Sequence, residues 1–376
     1  MLRKYESGGN DAFEMNVAYA RTIDISFKDV FVFLEESKAD KKILFIDPIV
    51  LSNQDILLDI ERKNINITLV PTNIHEASKE MESVLAILKV FEEQGVGRRN
   101  DMICAIGGGA LMDAVSFAAS IYRRGISIVK VPTTLLGIVD AAIGIKTGVN
   151  FESQRNRIGS YHFDFQVIID PRFLEGINKG MIRQGLGEIF KIATIKGESL
   201  FNDLHRFSDR LEDINFYKKP DGIKIINKSI ELMLEELHDN PREDNLKRCV
   251  DFGHSFGPMA EMVSLKRLGS RTLPHGYAVA FDCVLTTAIS LGRDLITGQD
   301  YHSIISLYKK FDFDFYNEIY NEKNLLWASF LDLTKHRGGV QNLPVPTGIG
   351  KFTFLQDVTF DEMSIAIDVV KASLIK

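Results

Sequence analysis

Three side chains in the second half of the chain are of the types that hold a divalent metal. Glu188 lies in Gly185-Leu186-Gly187-Glu188-Ile189-Phe190-Lys191, His254 follows Phe252-Gly253, and His275 stands in Leu273-Pro274-His275-Gly276. One carboxylate and two imidazoles from separate elements suit a catalytic zinc that keeps open positions for substrate. They stand 66 and 21 positions apart in turn (188 to 254, 254 to 275). Such spacing alone does not choose between a metal centre and two hydrogen-bonded buried histidines. Lys191 follows Glu188 by three residues and shares its helical face.

A second chemistry is written in the first half. Gly107-Gly108-Gly109 ends an apolar run and opens a helical pattern. Such a turn lets backbone approach a pyrophosphate, with the following helix N-terminus as anion site. The alternative is a tight turn that needs positive φ. Asp47, after the first strong apolar run, is either an acceptor for an adenosine ribose or a strand-end turn carboxylate. Thr133 and Thr134 either donate hydroxyls toward the same crevice or cap a helix. The Gly-punctuated stretch from Val139 to Asn150 carries Asp140 and Lys146, and Arg155-Asn156-Arg157 follows. It suits an anionic sugar, with Lys as point charge and Arg as fork. Lys335-His336-Arg337-Gly338-Gly339 reads as a second basic turn. A solvated charged loop is the competing reading for both.

The elements that must position these residues follow from periodicity. Ile43–Ile46, Ile65–Val70, Met102–Ile106 and Ile126–Val131 read as strands, with helical patterns over Ala77–Gln94 and Leu111–Tyr122. Strands alternating with helices predict a parallel sheet covered on its faces, which takes ligands at the strand ends. From about Lys179 the patterns are mostly helical: Met181–Lys196, Ile223–Leu237, Phe281–Gly292, Tyr301–Phe311 and Phe360–Ile375. Val345-Pro346-Thr347-Gly348 reads as a loop or turn. The expectation is an α/β Rossmann-like domain over residues 1–175 and a mainly α-helical domain over 176–376.

Composition excludes other classes. Of 376 residues, 45% are hydrophobic and 26% charged, which is globular rather than disordered or fibrous. A net charge of -6 leaves no basic footprint for nucleic acid or an anionic membrane. Three cysteines form no disulfide framework and suit a reducing, cytoplasmic setting. Residues 1–10 hold no apolar signal core, and no run reaches the ~20 apolar residues of a spanning helix.

Joined together, these segments resemble the sugar phosphate cyclases, the 3-dehydroquinate synthase-like superfamily. The strings are GGGALMDAVSFAASIYRRG, VPTTLLGIVDAAIGIKTGVN, RNRIGSYH, GLGEIFK, DFGHSF and PHG, in that order. The resemblance implies an NAD domain plus a metal-binding helical domain, zinc or cobalt as metal, a small sugar phosphate as substrate, and a homodimer. Asp47, Glu76, Lys79, Gly107, Gly108, Gly109, Asp113, Thr133 and Thr134 match NAD-binding positions. Glu188, His254 and His275 match the metal ligands. Asp140, Lys146, Asn156 and Lys191 match substrate-site positions, and Arg124 matches an arginine that reaches a neighbouring subunit's substrate phosphate.

The departures matter as much. Pro258 stands where dehydroquinate synthases have a second histidine, Asp251 where they have Asn, Lys247 where they have Arg, and Met233 where they have Lys. Less positive charge suits a substrate without a carboxylate, and these changes resemble the 2-epi-5-epi-valiolone synthases, which cyclise sedoheptulose 7-phosphate. The resemblance then implies transient oxidation by NAD+, β-elimination of phosphate, return of the hydride, ring opening and intramolecular aldol closure. Asp140, Lys146, Lys191 and Asp251 are the catalytic candidates. Arg124, Asn156, Lys247, His336 and Arg337 are the substrate-phosphate candidates. Alternative products are 2-epi-valiolone and desmethyl-4-deoxygadusol. A metal- and NAD-dependent polyol dehydrogenase is a different reading. A non-catalytic binding protein derived from a cyclase is another, motivated by Tyr277 where the family commonly has Glu.

Overall fold

Apolar β-branched runs pair with one another because both faces of each can be buried. In the computed structural model, the described residues are 12–17, 21–63, 66–152, 154–175, 177–268, 273–311, 313 and 318–375. They form two compact units that part between Ile177 and Asn178.

In the first unit, seven strands build one sheet. They are β1 (Ala12–Val17), β2 (Arg21–Phe27), β3 (Lys42–Ile46), β4 (Thr68–Pro71), β5 (Met102–Gly107), β6 (Ile128–Pro132) and, later in the chain, β9 (Phe165–Ile169). Their order is β1-β2-β9-β6-β5-β3-β4. Every pairing is parallel except β1 with β2. The expected strand Ile65–Val70 begins at Thr68; Ile65 lies outside the described residues. Helices α1 (Val30–Glu36), α2 (Pro48–Leu51), α3 (Gln54–Lys63), α4 (Met81–Glu93) and α5 (Gly109–Ile121) join the strands. Leu44, Ile46, Cys104, Ile106, Val129, Val131 and Ile168 form a buried core with Val30, Phe31 and Leu34 of α1. A hairpin that periodicity did not disclose, β7 (Lys146–Phe151) with β8 (Gln154–Tyr161), packs on α5.

The second unit holds α6 (Lys179–Lys196), α7 (Glu198–Phe207), α8 (Pro220–Asp239), α9 (Gly257–Leu268), α10 (His275–Gly292), α11 (Gly298–Lys310), α12 (Lys323–His336) and α13 (Phe360–Ile375). Asn178 caps α6 by accepting from the Met181 amide at 2.9 Å. The stretch expected as a loop is instead a strand, β10 (Leu343–Gly348), paired antiparallel with β11 (Lys351–Leu355). Prolines mislead there because Pro344 and Pro346 lie two apart, so both donor-less nitrogens point to one edge. Lys335 and His336, expected in a turn, belong to the last turn of α12; Gly338 and Gly339 follow it with φ of 74° and 81°. Among the described residues no helix is long and apolar enough to cross a membrane.

Candidate functional site

Helices α6 and α10 cross at glycine. A Cβ on Gly187 would collide with the Gly276 carbonyl, and one on Gly276 with the Gln184 backbone. The crossing sets Glu188 beside His275, the first residue of α10. His254 arrives on the loop before α9. Gly253 there has φ of +79° and passes so close to α10 that a Cβ would meet Val279 and Cys283 at 2.9 Å.

Glu188 Oε1 lies 3.2 Å from His275 Nε2 and 3.7 Å from His254 Nε2. The three ligand atoms lie within 4.8 Å of one another. With its proton on Nδ1, 3.4 Å from the Phe252 carbonyl oxygen, His254 keeps Nε2 as a lone-pair donor. His275 Nδ1 meets Glu261 Oε2 at 3.0 Å. Glu261 on α9 is thus placed as the carboxylate that would orient the ring of a ligating imidazole. Tyr277, which stands where the family commonly has Glu, sets its ring against Phe313 at 5.4 Å.

Lys191 Nζ stands 2.5 Å from Glu188 Oε2, both side chains almost fully buried. Oε2 is thus ion-paired with the Lys191 ammonium in a buried setting. Burial would raise the Glu188 carboxyl, but Lys191 and then the imidazoles outweigh it and hold it well below the usual carboxylate range. Burial, helped by Lys191, pushes His254 down, toward the neutral form that ligates. At His275 burial opposes charge, yet Glu261 and Glu188 push its pKa up to about 10. A buried anionic carboxylate converging with two imidazoles is a donor set that fits a zinc ion.

The Asp251 carbonyl accepts from the His254 amide at 2.9 Å, but its side chain turns to arginines. Its carboxylate accepts from Arg248 at 2.6 and 3.1 Å and pairs with Arg337 at 3.0 Å. Arg248 also pairs with Glu243. Arg248, missed in the sequence, occupies the place beside Asp251, while its neighbour Lys247 is exposed. Met233 is buried in α8. The side chain of His336 lies outside the described residues.

In the first unit, parallel registry lines up the ends of three strands. The Asp47 amide donates to Ile106 O at 2.9 Å and the Thr133 amide to Gly107 O at 3.0 Å. Asp47, Gly107 and Thr133 thus stand side by side at the carboxyl edge of the sheet. None of the three glycines has positive φ, so the tight-turn reading fails. Gly108 is the N-cap of α5 and offers no side-chain cap, which leaves first-turn N–H groups for an anion. A Cβ on Gly107 or Gly109 would meet Leu111 or Ala141 at 3.1 Å. This bare, uncapped cradle fits a dinucleotide pyrophosphate. Asp47 also caps α2, accepting from the Ile49 amide at 2.9 Å, and Thr134 accepts from the Gly137 amide at 3.0 Å.

Lys79 joins two sets that the sequence kept apart. Almost fully buried, it donates to Asp113 Oδ2 at 3.0 Å and Asn156 Oδ1 at 2.7 Å, and lies 3.4 Å from Glu76. Asp140 is partly buried in a π-helical turn over Gly137–Ala141, and Lys146 is exposed at the start of β7. Arg124 is exposed with φ of 66°. Lys130, also missed, is a buried lysine on β6. It donates to Gly144 O at 2.9 Å, within the Asp140–Lys146 stretch, and lies 3.9 Å over the Phe165 ring.

Comparison with known proteins agrees with this arrangement. Residues 69–184 match the family model of the 3-dehydroquinate synthase N-terminal domain, and residues 185–335 that of its C-terminal domain. A 2-epi-5-epi-valiolone synthase of Streptomyces hygroscopicus subsp. jinggangensis is 35% identical over 334 residues, 87% of this chain and 79% of that protein. A demethyl-4-deoxygadusol synthase of Trichormus variabilis is 28% identical over 312 residues, 81% of this chain and 74% of that protein. A solved 2-epi-5-epi-valiolone synthase from the same Streptomyces, with NAD+ and Zn2+ bound, matches with TM-score 0.87 and 32% identity over 96% of this chain and 99% of that one. Sequence, fold and the converged ligand triad lead to one family, and the chain belongs to the 3-dehydroquinate synthase-like sugar phosphate cyclases.

Proposed function

We propose that this chain cyclises sedoheptulose 7-phosphate to 2-epi-5-epi-valiolone, or a stereoisomer, releasing phosphate and using NAD and zinc, with cobalt able to replace zinc. The observation that carries the reading is the convergence of Glu188, His254 and His275 within 4.8 Å, in a chain 35% identical to a synthase of that name. When bound, the cofactors supply reversible hydride exchange and polarisation of the oxygen at the oxidised carbon.

The chain's own residues do the holding and orienting. The first-turn N–H groups of α5 bind the pyrophosphate, and Asp47 is offered to the ribose. Glu261 keeps the His275 ring turned toward Glu188. Lys191 Nζ orients substrate oxygens, and Asp140 and Lys146 orient hydroxyls and a developing oxyanion. Asn156 Oδ1 accepts from Lys79, so its amide nitrogen is the atom for phosphate, together with Arg124, Lys247, His336 and Arg337. Asp251 answers Arg248 and Arg337, which supports a substrate lacking a carboxylate. The three free, buried cysteines suit a reducing cytoplasm. A homodimer, with exposed Arg124 reaching the neighbouring subunit's substrate, completes the reading; sedimentation and mixed-subunit complementation with Arg124→Ala test it.

The test is incubation with sedoheptulose 7-phosphate, NAD+ and zinc, with phosphate and carbocycle read by NMR. One phosphate per substrate without net NADH is expected, and Glu188→Ala and His275→Ala, still folded, lose turnover. Full zinc-free activity of either variant rejects the proposal. Accumulating NADH selects a polyol dehydrogenase, and binding without phosphate release selects a binding protein. The ring formed decides among 2-epi-5-epi-valiolone, 2-epi-valiolone and desmethyl-4-deoxygadusol.

A further inference from the structure

The loop that carries His254 passes close over α10, with Phe252 buried and Phe256 stacked on Phe330 at 4.8 Å. Its backbone amides are anchored to α10 by a single carboxylate, Asp282, which is completely buried there, two turns beyond His275. One oxygen, Oδ2, accepts from three consecutive amides: Ser255 at 2.7 Å, Phe256 at 2.7 Å and Gly257 at 2.9 Å. These amides directly follow His254 and lead into α9. They are the donors a helix start leaves without an intrahelical partner, and here the cap comes from another helix. A fourth donor is missing because residue 258 is Pro, which suits a first helical turn. The other oxygen, Oδ1, is buried and has no hydrogen-bond partner. No residue among the described ion pairs neutralises the carboxylate, so it is held by oriented backbone dipoles.

We propose that Asp282 is a positioning residue for the metal centre, clamping the His254 loop so that α10 presents His254 and His275 as one rigid pair. The proposal rests on the reading of Glu188, His254 and His275 as ligands. It goes beyond that reading by naming the group that sets the spacing of two of them before any ion binds. Because donors and acceptor belong to elements 25 to 27 residues apart in sequence, the clamp depends on the fold and not on local turn geometry. A carboxamide at position 282 keeps one accepting oxygen but loses the charge, and a methyl group keeps neither.

The test is titration of the metal-free full chain with Co2+ and Zn2+, followed by calorimetry and by the visible absorption of bound cobalt. If the wild type binds no ion, or binds it equally well with Glu188→Ala, the ligand reading itself fails. With that reading standing, Asp282→Ala is expected to lose about 10- to 100-fold in metal affinity, as outer-shell changes typically do, with an altered cobalt spectrum. Asp282→Asn falls between it and wild type, and NAD+ affinity is unchanged in both. Loss of less than about twofold, or an equal loss of NAD+ affinity, overturns the proposal. Amide exchange of the metal-free wild type gives a check free of mutation. Ser255, Phe256 and Gly257 are expected to be protected, and rapid exchange at all three overturns the clamp.

Discussion

His275 sits between two carboxylates, and that placement separates its two nitrogens by role. Nε2 faces Glu188 at 3.2 Å and Nδ1 faces Glu261 at 3.0 Å. Glu261→Gln keeps the shape and removes the charge that orients the ring. It is expected to weaken zinc binding by about 10- to 100-fold, measured by competition with a chelating dye; unchanged affinity would show that the Glu261 contact is passive. Lys130 offers a separate prediction in the first unit. Burial lowers its pKa to about 8 from 10.5, only partly offset by Asp113. Below pH 8 both folded and unfolded chains carry the proton, and folding bears the full cost of a buried ammonium. Between about 8 and 10.5 the unfolded chain holds a proton that the folded one has released, so this group's contribution to stability improves as pH rises, by on the order of 3 kcal/mol. Lys130→Met should flatten that rise in denaturant midpoints measured from pH 7.5 to 10.5. A slope equal to wild type would show that Lys130 does not titrate in this range.

The element that decides the site is the α6–α10 crossing. Both helices are buried along most of their length, and their glycines let backbone touch backbone. Gly187→Ala forces a methyl into the Gly276 carbonyl, an overpacking that typically costs about 1–3 kcal/mol or more. Urea unfolding should show that loss together with weaker zinc binding, since Glu188 is carried away from His275. Stability lost without any change in zinc affinity would mean the crossing does not set ligand spacing. These helices were readable from apolar periodicity, and β3, β5 and β6 from β-branched runs. The hairpins were not. Pro344 and Pro346 read as breakers, although a two-stranded ribbon leaves an edge where a missing donor is harmless. Glu188, His254 and His275, the candidate metal ligands that the fold brings together, were legible through motif order, whereas Glu261, Arg248, Lys130 and Asp282 were not. Glu261, Lys130 and Asp282 meet their partners through tertiary geometry: the amides on Asp282 are 25 to 27 residues away and Glu261 is 14 from His275, and no spacing rule encodes which helices cross; Arg248 meets Asp251 only three residues on, a pairing that spacing alone does not mark as part of a site.

At the scale of the molecule, the two cofactors are read onto different compact units. Ligand that binds only folded protein stabilises it by about 2.7 kcal/mol at a hundredfold excess over Kd. Zinc should therefore slow amide exchange around Glu188 and residues 253–257, and NAD+ around Gly107–Asp113 and Thr133, each in its own unit. Hydrogen-exchange mass spectrometry reads both. Protection by zinc confined to the first unit would contradict the ligand assignment. The glycine crossing carries one last implication, for ion choice. Peptide groups, which cannot bend aside as long side chains do, meet where α6 and α10 cross and fix the separation of the backbones that carry Glu188 and His275. Calcium asks for six to eight oxygens at roughly 2.3–2.6 Å, and a socket of fixed gauge with two nitrogens cannot widen to supply them. Ions of zinc's radius are expected to trade places there, and calcium to be turned away.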